Sequence, residues 1–72
     1  MAEAATIQIQ LNGEPYQLAP ETRVSGLIAE LQLTQGRLAI ELNLNILPRT
    51  QWDETQLQNG DKLEIVHFVG GG

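Results

Sequence analysis

The chain closes with Leu63-Glu64-Ile65-Val66-His67-Phe68-Val69-Gly70-Gly71-Gly72, a run of strand-forming residues that passes directly into glycines. Val, Ile and Phe favour an extended, packed conformation, whereas glycine has no side chain to pack and few conformational restrictions. Residues 63–69 are therefore predicted to form the last strand, and residues 70–72 a flexible tail. Such a tail is thin enough for a narrow channel in a partner; the alternative is a frayed end or a cloning remnant.

Alternation along this strand assigns its side chains to two faces. Leu63, Ile65 and His67 are predicted to face the core, and Val66 and Phe68 to face outward. We expect His67 to be a packed, hydrogen-bonded histidine rather than a catalytic one. The two outward apolar side chains indicate a partner-docking surface, although single apolar residues are also common on protein surfaces.

A hairpin is predicted at the start of the chain. Residues 6–11 alternate apolar and polar side chains, as in a half-buried strand. Asn12-Gly13 is a typical type I′ turn, because both residue types tolerate positive φ angles. The return strand contains Tyr16 and Leu18, and Pro15 near its start favours an edge position.

An amphipathic helix follows, indicated by apolar residues at i, i+3, i+4 and i+7, which are Val24, Leu27, Ile28 and Leu31. Thr22 or Arg23 is expected as its N-cap. Gly26 weakens the helix by about 1 kcal/mol relative to Ala, and a close approach to the sheet is one possible reason for it. The helix is expected to end before Gln35-Gly36, where glycine can adopt the left-handed conformation.

The rest of the chain is predicted to complete a small α+β fold. Residues 38–42 alternate as a strand, residues 43–45 form a turn, and residues 46–47 are at most a minor strand. A helical turn is expected near residues 50–53, and residues 59–61 form the turn before the last strand. One helix on one face of a mixed sheet buries both apolar surfaces.

The composition excludes several classes of function. The chain has 72 residues, a net charge of −5 and no cysteine. Nucleic-acid binding is not expected without a basic stripe, and no apolar run is long enough for a membrane span. We expect a single cytoplasmic domain whose residues 1–5 are disordered. Without a thiol, any sulfur that the chain carries must be attached to its terminal carboxyl group.

No catalytic constellation is recognisable. His67 and Ser25 are the sole histidine and serine, so a nucleophile with its base cannot be assembled. Asp53, Glu54 and Asp61 are expected to be solvated turn residues rather than a general acid and base. The chain is therefore predicted not to be an enzyme, and to bind neither metal nor cofactor itself.

Several motifs resemble those of known proteins. Asn59-Gly60-Asp61 followed by Leu63-Glu64-Ile65 is common to many ubiquitin-like domains. Leu47-Pro48-Arg49 with Trp52, and Val66-His67-Phe68-Val69 before the glycines, resemble the sulfur carriers of thiamine thiazole biosynthesis, the ubiquitin-like ThiS family. This resemblance covers nearly the whole chain. It implies a β-grasp fold, one helix packed on a mixed four- to five-stranded sheet, with residues 1–69 as the domain and residues 70–72 as the tail.

The resemblance also implies a chemical role. The carboxyl group of Gly72 would be adenylated and converted to a thiocarboxylate, while Gly70, Gly71 and Gly72 enter partner active sites. Implied partners are an adenylyltransferase related to ubiquitin-activating enzymes, which uses ATP and magnesium, a persulfide sulfur donor, and thiazole synthase. Val66 and Phe68 are the expected docking residues.

Other readings of the same residues remain open. The small subunit of molybdopterin synthase has the same fold and terminal chemistry, although the Val66-His67-Phe68-Val69 segment argues against it. A protein modifier would join Gly72 to a lysine of a target. A plain interaction domain would have an inert tail.

Overall fold

The computed structural model describes residues 5–33 and 37–68. The elements in chain order are β1 (Ile7–Leu11), β2 (Glu14–Leu18), α1 (Val24–Glu30), β3 (Arg37–Leu42), β4 (Asn45–Ile46), a 3₁₀ turn (Arg49–Gln51) and β5 (Lys62–Phe68). The predicted glycine tail at residues 70–72 and the predicted strand end at Val69 lie outside the described residues. The expected disorder at the N-terminus also concerns residues outside them, apart from Ala5.

The strands form one mixed sheet in the order β2-β1-β5-β3-β4. β1 and β5 are parallel, and every other neighbouring pair is antiparallel. Helix α1 follows the β1–β2 hairpin and covers one face of the sheet, which is the predicted β-grasp arrangement with five strands. Pro15 lies on edge strand β2, opposite Gln10, so its missing N–H leaves the interior of the sheet intact.

The first turn of α1 shows which residue is the N-cap and what surrounds Gly26. Arg23 occupies the N-cap position with no side-chain capping bond, while the Thr22 hydroxyl donates to the carbonyl of Ala19 at 2.7 Å. A Cβ added at Gly26 would meet only Thr22 Cγ2, at 3.9 Å. The idea that a close approach to the sheet requires Gly26 was therefore wrong.

At the end of α1, a non-glycine residue adopts the left-handed conformation that commonly terminates a helix. Gln32 has a φ of 61°, in the left-handed region. The N–H of Gln32 donates to Ala29 at 3.0 Å and the N–H of Leu33 donates to Ile28 at 3.1 Å. This pair of bonds is a Schellman motif, which satisfies carbonyls at the end of the helix. The helix thus ends before the predicted Gln35-Gly36, which lies outside the described residues.

The core lies between α1 and the sheet. Its buried side chains come from four strands, the helix and the long segment before β5, and are Ile9, Leu18, Val24, Leu27, Ile28, Ile40, Trp52, Leu57, Leu63 and Ile65. The indole N–H of Trp52 donates to the carbonyl of Leu47 at 3.1 Å. The guanidinium of Arg49 lies 5.1 Å from the centre of the Trp52 ring. These contacts order the segment that leads from β4 to β5.

Candidate functional site

The candidate site is the end of β5, because Val69 and the three glycines of the predicted tail follow this strand in the sequence. β5 lies between β1 and β3 in the sheet. Its pairing with β3 runs from Leu42 opposite Leu63 to Arg37 opposite Phe68. The strand is therefore paired with β3 up to Phe68, its last described residue.

The two faces of β5 differ in burial. Leu63 and Ile65 are buried against the core, whereas Val66 and Phe68 are 51% and 54% exposed. The predicted outward orientation of Val66 and Phe68 is confirmed. Their role in docking remains a prediction.

The sheet surface opposite the helix, here called the outer face, continues from β5 onto its neighbours. On three strands its residues are Arg37, Ala39, Glu41, Ile46, Lys62, Glu64, Val66 and Phe68. Ala39 lies opposite Val66, and Arg37 lies opposite Phe68. The part of the outer face nearest the tail is thus apolar with a single cation.

The other end of the outer face is charged. Glu41 lies opposite Glu64, and Ile46, which is 68% exposed, lies beyond Glu41 on β4. Lys62, two residues before Glu64 on β5, is exposed on the same face, so this end of the outer face carries charges of both signs. Sequence reasoning found Val66 and Phe68 but missed these neighbours, because the strand pairing that joins them is not a local sequence signal.

His67 does not have the environment predicted for it. The side chain is exposed, although it is in register opposite the half-buried Leu38. The expectation of a packed histidine was therefore wrong. Ile65 is the last buried residue of β5, so the buried core ends before the position of His67.

Among the acidic residues singled out in the sequence, Asp61 is held in a turn. The Asp61 carboxylate accepts from the backbone N–H of Gln58 at 2.8 Å and from the Asn43 side chain at 3.0 Å. It is thus a turn residue, as predicted. Within residues 5–33 and 37–68, no three acidic, histidine or cysteine side chains are grouped to hold a metal ion. In the same part of the chain, no helix is long and apolar enough to cross a membrane.

Asparagine side chains next to turns bond to the backbone of β5 or of its neighbour β1. Asn59 Oδ1 accepts from the N–H of Gln8 at 2.9 Å, and Asn43 Oδ1 accepts from the N–H of Lys62 at 2.9 Å. Asn12 bonds to both backbone groups of Ile65. The sequence identified these residues as turn formers only, because their partners are distant along the chain.

Comparison with known proteins gives consistent matches. The model of the ThiS family matches residues 9–72. The sulfur carrier protein ThiS of Bacillus subtilis is 37% identical over 65 residues, which cover 89% of this chain and 98% of that protein. The crystal structure of thiamine biosynthesis protein ThiS from Geobacter metallireducens has a TM-score of 0.78 at 32% identity, covering 92% of this chain and 100% of that chain.

A larger protein also contains a similar segment. Thiazole synthase from Paramagnetospirillum magneticum is 36% identical over 66 residues, which cover 92% of this chain but 20% of that protein. The chain therefore corresponds to one segment of that synthase and spans a minor part of its length.

Proposed function

Because the chain belongs to the ThiS family, we propose that it is a sulfur carrier of thiamine biosynthesis that holds sulfur as a thiocarboxylate on Gly72. The observation that carries the proposal is the extent of the family match, which runs from residue 9 to residue 72 and so includes the glycine tail. The chain has no cysteine that could hold sulfur instead.

The first step activates the terminal carboxylate. A carboxylate resists nucleophiles because of its negative charge and its poor leaving group. In the adenylating partner, an oxygen of the Gly72 carboxylate attacks the α-phosphorus of ATP, and pyrophosphate leaves. Magnesium bound with ATP in that partner offsets the phosphate charge. The product is an acyl adenylate, whose carbonyl carbon is electrophilic.

The second step introduces sulfur. The terminal sulfur of a partner persulfide attacks the carbonyl carbon, and the bond to AMP breaks, which leaves an acyl disulfide. A second thiol then attacks the sulfur bonded to the donor. It supplies the two electrons that release the thiocarboxylate, and a disulfide forms on the donor side. Thiazole synthase would consume the thiocarboxylate as the sulfur source for the thiazole ring.

The described part of the chain supports this role by how it presents β5. The sheet holds the strand up to Phe68, and the outer face exposes Val66 and Phe68 beside the start of the tail. A partner that covers these side chains is close to the residues that follow. Glycine at positions 70–72 has no side chain, so the tail can lie extended in a narrow channel.

The match with a thiazole synthase supports thiazole synthase as a partner. In that protein, a segment similar to this chain is joined to the synthase. Covalent joining raises the effective concentration of one module at the other, which benefits modules that act on each other. The adenylyltransferase and the persulfide donor are proposed from the chemistry above.

The test is the intact mass of the chain after incubation with the adenylating enzyme, magnesium-ATP and a persulfide donor. We expect a mass increase equal to the replacement of one oxygen by sulfur. The control is a chain that lacks Gly72, which should fold normally and show no increase. An unchanged mass, with partners shown to be active on another carrier, would refute the proposal.

A second assay distinguishes the pathways. The charged chain is mixed separately with thiazole synthase and with the large subunit of molybdopterin synthase, and loss of the thiocarboxylate is followed. We expect consumption by thiazole synthase only. Consumption by the molybdopterin enzyme, or attachment of Gly72 to lysines, would assign the chain to a different pathway.

A further inference from the structure

The two sides of β5 are supported over different lengths. β3 pairs with β5 along the whole segment from Leu63 to Phe68. β1 pairs with it at Lys62 and Leu63, where β1 reaches its end at Leu11. Among the described residues, the end of β5 therefore has a strand neighbour on the β3 side alone.

The side chain of Asn12 extends the hydrogen bonding on the β1 side of β5. Its Oδ1 accepts from the N–H of Ile65 at 2.7 Å, and its Nδ2 donates to the carbonyl of Ile65 at 3.3 Å. The backbone N–H of Asn12 also donates to the carbonyl of Leu63 at 2.9 Å. A side-chain amide carries one acceptor and a donor group, as a peptide unit does. Asn12 thus continues the β1–β5 hydrogen bonding after β1 has turned away.

We infer that Asn12 is a positioning residue for the sulfur-carrier reaction, an inference that rests on the proposed function. Ile65 directly precedes Val66, and Phe68 is the last described residue before the tail. A partner must bind the outer face and admit the tail at the same time. By bonding to Ile65, Asn12 keeps this end of β5 in one direction.

The orientation of the strand end affects the apparent affinity for the partner. If the strand end adopts several orientations, only the fraction with the correct orientation binds productively, and the apparent affinity falls by that fraction. Removal of the Asn12 amide should therefore raise KM for charging of Gly72. The chemical step itself, which takes place in the partner, should change little.

Asn43 provides a matched control. It has a φ of 52°, against 53° for Asn12, and both residues begin a hairpin turn. Asn43 also bonds to β5, but at Lys62, the end remote from the tail. Replacement of either residue by glycine preserves a left-handed backbone and removes one side-chain amide that holds β5.

The experiment compares Asn12→Gly, Asn43→Gly and the unmodified chain, all confirmed to be folded at the assay temperature. Amide hydrogen exchange is measured for residues 65–68, and KM and kcat are measured for thiocarboxylate formation. We expect Asn12→Gly to accelerate exchange and to raise KM about three- to tenfold, with kcat nearly unchanged. Asn43→Gly should leave exchange at residues 65–68 and KM close to those of the unmodified chain.

Equal changes in KM for the two variants, or an unchanged KM for Asn12→Gly, would refute the inference and leave the proposed function intact. Unchanged exchange at residues 65–68 in Asn12→Gly would refute it as well. If the unmodified chain itself forms no thiocarboxylate, the proposed function fails, and the positioning role fails with it.

Discussion

Glu41 on β3 and Glu64 on β5 are cross-strand partners on the outer face of the sheet. Like charges directly opposite each other in a sheet are destabilising. We therefore predict that Glu64→Gln raises the free energy of unfolding by about 0.5 kcal/mol, measured by urea denaturation at low salt. The gain should shrink as salt is added, because added ions screen the repulsion.

The control for this prediction is Glu54→Gln. Glu54 is exposed in the segment after the 3₁₀ turn, so its replacement changes the net charge equally without affecting the Glu41–Glu64 pair. An equal gain in both variants would assign the effect to net charge rather than to the pair.

Local patterns predicted the direction of side chains better than their depth. Alternation correctly placed Ile65 inward and Val66 and Phe68 outward. It did not predict that His67 is exposed, because burial depends on which elements pack over a residue, and the buried part of β5 ends at Ile65. Where the core ends is set by the packing of the whole fold, which the sequence of β5 does not contain.

Two further features could not be predicted from the sequence, one that joins distant parts of the chain and one at the end of α1. The hydrogen bonds between Asn12 and Ile65 link residues 53 positions apart. At the end of α1, the sequence favoured glycine, whereas Gln32 adopts the left-handed conformation. The bonds that Gln32 and Leu33 make to the end of the helix offset the backbone strain there.

Gly26 offers a stabilising substitution. It lies in α1, and an added Cβ would make only an ordinary contact with Thr22. We predict that Gly26→Ala raises the free energy of unfolding by about 0.5 kcal/mol, because alanine loses less backbone entropy on folding. Thermal denaturation followed by circular dichroism measures the change.

The contrasting variant is Gly60→Ala. Gly60 has a φ of 89°, and a Cβ there would have open space around it. Any loss of stability therefore reports backbone strain alone, and we expect about 1 kcal/mol. If both alanine variants shift stability in the same direction, the conformational argument for Gly26 is wrong.

Leu44 is a non-glycine residue with a strained, left-handed backbone conformation. It has a φ of 74° at the β3–β4 turn, and its side chain is 86% exposed. We predict that Leu44→Gly raises the melting temperature, because glycine adopts positive φ without strain and the exposed side chain has little packing to lose. Leu44→Ala keeps the strain and should give no gain; a similar gain from alanine would contradict this explanation.

Tyr16 gives a prediction at alkaline pH. Its hydroxyl donates to Glu30 Oε2 at 3.1 Å. This hydrogen bond, followed by desolvation and by the charge of Glu30, raises the pKa of Tyr16 above its ordinary value of 10.0. The neutral phenol is therefore favoured in the folded state. Its contribution to stability is complete below pH 10 and is lost as the pH rises through the raised pKa.

The measurement for Tyr16 is the absorbance of tyrosinate during an alkaline titration, and the chain has a single tyrosine. Glu30→Gln should lower the pKa of Tyr16 toward its ordinary value, because both the carboxylate acceptor and its charge are removed. Glu14→Gln, on the same strand as Tyr16, is the control and should leave the titration unchanged. An unaltered pKa in Glu30→Gln would show that the hydrogen bond is not its cause.

Phe68 should contribute to partner binding far more than to folding. Its side chain is 54% exposed on the outer face, and Phe68 is the last described residue before the tail in the sequence. We predict that Phe68→Ser weakens binding to thiazole synthase about tenfold, as expected for an aromatic anchor at an interface, with little change in the melting temperature. Titration calorimetry measures the dissociation constant. Leu44→Ser removes a large apolar side chain that is more exposed than Phe68 and lies at the β3–β4 turn, and it should leave binding unchanged. Equal weakening by both variants would mean that general surface hydrophobicity, rather than the outer face near the tail, determines binding.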